Sequence, residues 1–360
     1  MKQVHSIFLA ALCCILGFSA CNRTDNPQPT VDVINGYFVV CEGTFGHNNG
    51  EITFIDSVGH VTNEVFKTVN GRTLGDIVQS LTIVDSLAFI VVNNSQKIEV
   101  IHAKTFQSVK TLDDARFTYP RYVQKLDDNR ILVTNGHGMQ MNDDFVYVVN
   151  SHTFEITNAI PTGAGPNQMV QQNGRIFVAN FGGWTNDSTI TVINANTLAI
   201  EQTVKVGDMP SSMEIDSDGN IIIFCKGLST YDPTTWEATV VSNSKIVKVN
   251  TSTLAAQTLY TYNRQIQNQS ANVIAYANKT LYVSDDDGVY TFDATFSAPQ
   301  KLLSTANAFY GINIIGSTLW LCVGDPANSQ AIQYTLQGTK VKSFNTDPFP
   351  NAVIVSAETK

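Results

Sequence analysis

The sequence predicts an all-β chain folded as a seven-bladed β-propeller and closed by its own C-terminal strand, and three observations carry the prediction. Charged residues are only 15% of the chain. No long stretch of Ala, Leu, Glu and Lys competes with the abundant Val, Ile, Thr, Tyr and Asn, which favour strands. The second observation is repetition. "LAFIVVNNSQKIEVIHAKTF" (87–106), "RIFVANFGGWTNDSTITVINANTL" (175–198) and "TLYVSDDDGVYTFDATF" (280–296) each run from an apolar strand through a polar loop to a second alternating strand and a turn. The third is a leftover half-unit, "PFPNAVIV" (348–355), with nothing after it.

The chain begins with a processing signal. Lys2 supplies the positive end, and the apolar run Ile7–Phe18 falls short of the roughly 20 residues that span a bilayer. "GFSAC" then places Ser19 and Ala20 before Cys21, as in a bacterial lipobox, in which the cysteine becomes the acylated first residue. Residues 1–20 are therefore expected to be a lipoprotein signal peptide. Residues 21–34, polar and with two prolines, are expected to be a flexible tether, followed by the propeller over 35–356 and a short tail, 357–360. Several acyl chains would anchor stably where one binds reversibly.

Seven copies of one strand follow: "YFVVCE" (37–42), "FIVVNN" (89–94), "RILVTN" (130–135), "RIFVAN" (175–180), "NIIIFCK" (220–226), "TLYVSD" (280–285) and "TLWLCV" (318–323). An entering strand precedes each except the first, starting near Asp76, Pro120, Pro166, Pro210, Ser270 and Tyr310. The spacing, about 40–46 residues, is that of a four-stranded blade, with one stretched unit around Tyr231–Tyr262. The missing first strand is expected from the C-terminus, 348–355, so that no blade keeps a free inner edge. Cys41, Cys225 and Cys322 align with Asn93, Thr134, Ala179 and Ser284. They are expected to be buried free thiols, since equivalent positions on separate blades exceed the roughly 7 Å between Cα atoms that a disulfide tolerates.

A net charge of −9 leaves no basic footprint for nucleic acid. In a propeller the loops after the second and fourth strands share one face, where a rigid scaffold positions binding residues. From the second-strand loops this face takes Glu42, Phe45, His47, Asn94, Asn135, His137, Asn180, Phe181, Trp184, Lys226 and Asp285–Asp287. From the entering strands it takes Asp76, Gln79, Tyr119, Arg121, Asn167, Gln168, Phe309, Tyr310 and Phe349. Aromatic rings supply area and amides orientation, which suits a large neutral or amphipathic ligand. Many of the Asn and Asp residues would equally serve as turn caps. Asp285–Asp287 read as a solvated turn rather than a calcium site, and His47 with His137 lacks a third metal ligand. Neither a metal nor another cofactor is expected. No nucleophile elbow, HExxH or P-loop occurs. The chain is therefore read as a binding protein, not an enzyme; the alternatives are a propeller enzyme such as a lactonase or lyase, whose acid–base pair assembled across blades would leave no local motif, and a structural or partner-binding cell-surface protein.

The phrases "ITVINANTL" and "VKVGDMPSS" are similar to those of YVTN, or YncE-like, seven-bladed propellers. More narrowly, "CEGTFG", "LGDIVQS", "IVVNNS", "PRYV" and "QMVQ" resemble the surface lipoprotein propellers of Bacteroidota that include the vitamin B12-capturing BtuG type. That resemblance covers about 35–355. It implies an outer-membrane, surface-exposed lipoprotein that binds cobalamin or a related corrinoid and passes it to a TonB-dependent transporter. Single ligand contacts do not follow from it.

Overall fold

The computed structural model describes residues 35–356 except 138–142, 269, 271 and 307. The signal peptide, the tether with Cys21, and the tail 357–360 lie outside the described residues. Seven four-stranded antiparallel sheets form the blades of the ring. Blade four shows the plan: Pro166–Gln172 innermost, then Arg175–Asn180, Thr189–Asn194 and Ile200–Lys205 at the rim. The stretched unit is blade five, where an extra hairpin, Leu228–Tyr231 with Ala238–Ser242, is inserted between the second and third strands.

The second strands are nearly continuous apolar runs because each is buried on both faces. Phe38 and Val40 point into the cluster shared with blade two, whereas Val39 and Cys41 point into the cluster shared with blade seven. Side chains alternate across a strand, so a strand sandwiched between two neighbours needs apolar residues at odd and even positions alike. Among the described residues seven apolar clusters occur, one for each of the seven blade–blade contacts. Cys41, Cys225 and Cys322 sit in these clusters as free buried thiols.

Ring closure is as expected. Pro350–Val355 is the innermost strand of blade one, antiparallel to Gly36–Cys41, with Tyr37 opposite Val355 and Val39 opposite Val353. Thr53 and Asp347 lock the junction: the Thr53 hydroxyl donates to Asp347 Oδ2 at 2.8 Å, and the Asp347 N–H donates back at 3.0 Å. Beside this junction the short helix Val65–Asn70 packs Val65, Phe66 and Val69 into the core. The buried Glu51 carboxylate accepts the N–H groups of Phe66 and Lys67 at 3.1 and 3.0 Å, which satisfies donors that the helix cannot. No described helix is long and apolar enough to cross a membrane.

Candidate functional site

A repeated backbone hydrogen bond builds the central mouth. The N–H groups of Glu42, Asn93, Gly136, Phe181 and Lys226 donate to the carbonyls of Phe349, Ile77, Tyr119, Gly165 and Met209 over 2.7–3.2 Å. These five residues are therefore equivalent, and so are those just before them: Cys41, Val92, Asn135, Asn180 and Cys225. The expected alignment of Cys41 with Asn93, Thr134 and Ala179 is thus one residue out in blades two to four. Bulges at the start of the entering strands absorb the offset.

That one-residue correction decides which side chains face the mouth. Glu42, Asn93, Phe181 and Lys226 line a cavity of about 260 Å³, together with Ile77, Tyr119 and Tyr310 from the ends of the entering segments. Gln79, Arg121, Asn167 and Ser211, one rung further into the entering strands, form its inner wall, and Phe45 and Trp184 overhang it. Ile77 holds a left-handed backbone, φ +57°, which is strained for a β-branched residue. Its carbonyl accepts from Asn93 at 2.7 Å, and the conformation brings its side chain into the wall. Trp184 is 69% exposed and Phe45 72%. The Gly182–Gly183 turn carries Trp184, whose N–H donates to His137 O at 2.8 Å.

The cavity's charges are unequal. Glu42 Oε1 accepts from Asn351 Nδ2 at 2.9 Å and Oε2 from the Tyr310 hydroxyl at 2.6 Å. Burial raises its carboxyl above the ordinary range, against the pull of these bonds and of Arg121. Arg121 Nε and Nη2 both donate to Asn167 Oδ1, at 3.2 and 3.1 Å, and its guanidinium lies 5.5 Å from the Tyr119 ring centre. Lys226 Nζ lies 5.5 Å from the Phe181 ring centre. Burial, and then the nearby Arg121, push its ammonium down to about 8. A mouth suited to a large neutral or amphipathic ligand was expected, and Glu42, Arg121 and Lys226, all placed on this face from the sequence, give it two cations and one carboxylate.

The remaining candidates support the site or lie away from it. Asp76 is buried, and its Oδ2 accepts from Gly46 N–H at 2.9 Å and from Asn94 Nδ2 at 2.6 Å. It therefore fixes the loop that bears Phe45, and Asn94 serves Asp76 rather than the cavity. Asn135 and Asn180 are fully buried: Asn135 accepts from Tyr119 N–H, and Asn180 Nδ2 bonds Thr189 and Thr191. His137 stacks against Tyr119 with centres 4.4 Å apart and holds Asp143 through Nδ1 at 2.7 Å, so it buttresses a lining ring. His47 is exposed and outside the lining. Gln168 lies deeper, accepting from Met213 N–H and donating to Asn272. Phe309 is core of the cluster shared by blades six and seven, and Phe349 packs edge-on against Tyr310. Asp286 and Asp287 form a turn with Asp287 exposed, as expected, whereas Asp285 is buried; Arg264 pairs with Asp285 and Asp286, and Lys301 with Asp287. No group of three or more His, Cys, Asp and Glu suited to a metal occurs among the described residues. Ile77, Asn93 and Ser211 were missed, because their place follows from the register rather than from residue type.

These features define a β-propeller with a central mouth lined by rings, amides and two cations. A family profile matches residues 35–339, and the chain belongs to that family, Domain of unknown function (DUF5074). No curated protein sequence matches the chain. Among solved structures, the fold is similar to a quinonprotein alcohol dehydrogenase-like protein from Bacteroides thetaiotaomicron, with TM-score 0.67, 13% identity, and coverage of 90% of this chain and 79% of that one. It is similar to a functionally unknown protein from Desulfotomaculum acetoxidans, with TM-score 0.64, 12% identity and coverage of 90% and 100%. It is also similar to the periplasmic gluconolactonase of Pseudomonas aeruginosa, with TM-score 0.61, 12% identity and coverage of 89% and 99%. At these identities the likeness is one of fold, and fold does not fix function.

Proposed function

We propose that this chain is a ligand-capturing lipoprotein of the outer membrane, anchored through Cys21 and facing the cell surface. In this reading the mouth takes up a ring-bearing ligand, with cobalamin or a related corrinoid as the named candidate, and the protein passes it to a TonB-dependent transporter. The observation that carries the reading is the convergence of Phe45, Tyr119, Phe181, Trp184 and Tyr310 on one cavity with Gln79, Asn93 and Asn167. Rings on a rigid scaffold give contact area at low entropic cost, and buried amides orient the ligand. The BtuG-like phrases noted above supply the corrinoid and the transporter, and the lipobox supplies the anchor.

Titration with cyanocobalamin, followed by visible absorbance and calorimetry, tests it. Binding at micromolar concentration or tighter is expected, weakened roughly tenfold in Trp184→Ala, in line with about 1–1.5 kcal/mol for a stacked ring. No binding at micromolar concentration removes the corrinoid. Cys21→Ser is expected to release the protein from membranes, and continued attachment would contradict the anchor.

Catalysis is the second reading, and one observation favours it. Glu42, with its raised carboxyl, and Lys226, lowered to about 8, share one cavity, and groups tuned towards neutrality suit proton transfer. Turnover of sugar lactones that is lost in Glu42→Gln would support an enzyme. Absence of turnover would leave binding alone.

A further inference from the structure

We propose that the mouth holds its ligand by an oxoanion, a carboxylate or a phosphate ester, seated between Arg121 and Lys226, with the ring-bearing body of the ligand lying under Phe45 and Trp184. This rests on the ligand-binding reading above and narrows it to an acidic class of ligand.

Three features lead there. The first is an imbalance of charge. Arg121 and Lys226 both line the cavity, and neither forms an ion pair with a described carboxylate. Arg121 spends two of its five N–H groups on a neutral acceptor, Asn167 Oδ1. The guanidinium is thereby oriented by a neutral acceptor and feels Glu42 only through space, leaving its remaining fork for a second planar partner. Lys226 has no described hydrogen-bond acceptor, and its Nζ lies 5.5 Å from the Phe181 ring centre. Burying a cation without a partner is unfavourable unless something else supplies the charge, and the lowered ammonium of Lys226 is a consequence of that burial.

The second feature is that Glu42, the carboxylate in the lining, is already engaged. Both of its oxygens accept from neutral donors, Asn351 and Tyr310, which fixes it on the blade-one side of the mouth. Like-signed Arg121 and Lys226 are close enough for each to feel the other. An oxoanion between them replaces repulsion with two charge-assisted contacts. This local surplus of positive charge stands in a chain whose net charge is −9, so it does not arise from a generally basic surface.

The third feature is size. A cavity of about 260 Å³ admits an acidic head group and part of a ring system, and the exposed Phe45 and Trp184 are placed to cover what remains outside. Rings at the rim and cations in the wall sort a ligand end to end: acid inward, body outward.

The test uses three probes on the intact protein, followed by Trp fluorescence and calorimetry: 2-naphthoate, 2-naphthyl phosphate and the neutral 2-naphthamide. At least one acidic probe is expected to bind tenfold or more tightly than the amide. Whichever acid is preferred tells carboxylate from phosphate ester. Arg121→Gln and Lys226→Gln should each narrow the affinity ratio of acid to amide, and Lys226→Arg should restore the preference. A variant that fails to fold is identified by its melting curve, and the other substitution with the Lys226→Arg rescue then decides the matter. Equal binding of acids and amide by the unaltered protein overturns the proposal but leaves the ligand-binding reading standing. Acid preference persisting in the folded Arg121→Gln/Lys226→Gln protein also overturns it. Failure of all three probes to bind overturns the proposal, whereas the ligand-binding reading stands or falls on the cyanocobalamin titration.

Discussion

Cysteines at Tyr37 and Val355 should weld the ring shut. The two residues are direct partners across the antiparallel junction of Gly36–Cys41 with Pro350–Val355. Such partners have Cα atoms about 4.5–5.5 Å apart, inside the roughly 4.4–6.8 Å that a disulfide spans. The bond would close a loop of about 320 residues, and the chain-entropy relation then gives roughly 5–6 kcal/mol of stabilisation near 25 °C. With an unfolding entropy of about 2.1 cal/mol/K per residue, this corresponds to a rise in melting temperature of about 8 °C. Tyr37 packs against Trp320 with ring centres 4.9 Å apart, so the substitution itself costs stability. The measurement is therefore the oxidised against the reduced form of the same double variant, in which that loss cancels. Cys41, Cys225 and Cys322 are buried and should not compete for the new thiols. Mild oxidation that yields no intramolecular bond, or a bond that leaves the melting temperature where it was, would refute closure by the C-terminal strand.

Two further outcomes follow from the same geometry. Asp76→Ala should cost about 1.5–3 kcal/mol, the usual worth of hydrogen bonds to a charged group. It should also weaken ligand binding by freeing the Phe45 loop, and a variant that melts earlier but binds normally would show that the loop needs no such anchor. Glu51 is 4% exposed, and burial pushes its carboxyl up to about 8. A folded value raised above the unfolded one means that its contribution is fully present below about pH 4.5 and lost as pH rises through about 8. Melting curves of the unaltered protein should therefore fall over that window more steeply than those of Glu51→Gln; parallel curves would argue against the shift.

The blade count, the four-stranded plan and the closing strand were legible in the sequence because they depend on patterns that any blade must repeat. A strand buried on both faces has to be apolar throughout, as "YFVVCE" and "RIFVAN" are. The unmatched 348–355 segment has to pair somewhere, and the first blade was the one lacking a strand. Large side chains at the mouth were legible too: Phe45, Tyr119, Arg121, Phe181, Trp184 and Tyr310 could all be placed on the correct face from the repeat alone, and all line the cavity.

Which neighbours of those residues join them was not legible. Asn94, Asn135 and Asn180 look equivalent to one another in the sequence, yet the hydrogen bonds to Ile77, Tyr119 and Gly165 put Asn93, Gly136 and Phe181 on the rung that faces inward. Side chains alternate along a strand, so a shift of one residue exchanges core for cavity, and bulges that absorb such shifts leave no reliable mark in composition. Charge behaved in the same way. The sequence by itself determined an acidic ring of seven repeats with an aromatic face. Only the tertiary structure decided that Arg121 and Lys226, from blades three and five, meet in one cavity while Asp285 and Asp286 are neutralised by Arg264 elsewhere. The physical reason is that a repeat reports the period of a blade, whereas an ion pair depends on distances between blades that no local pattern encodes.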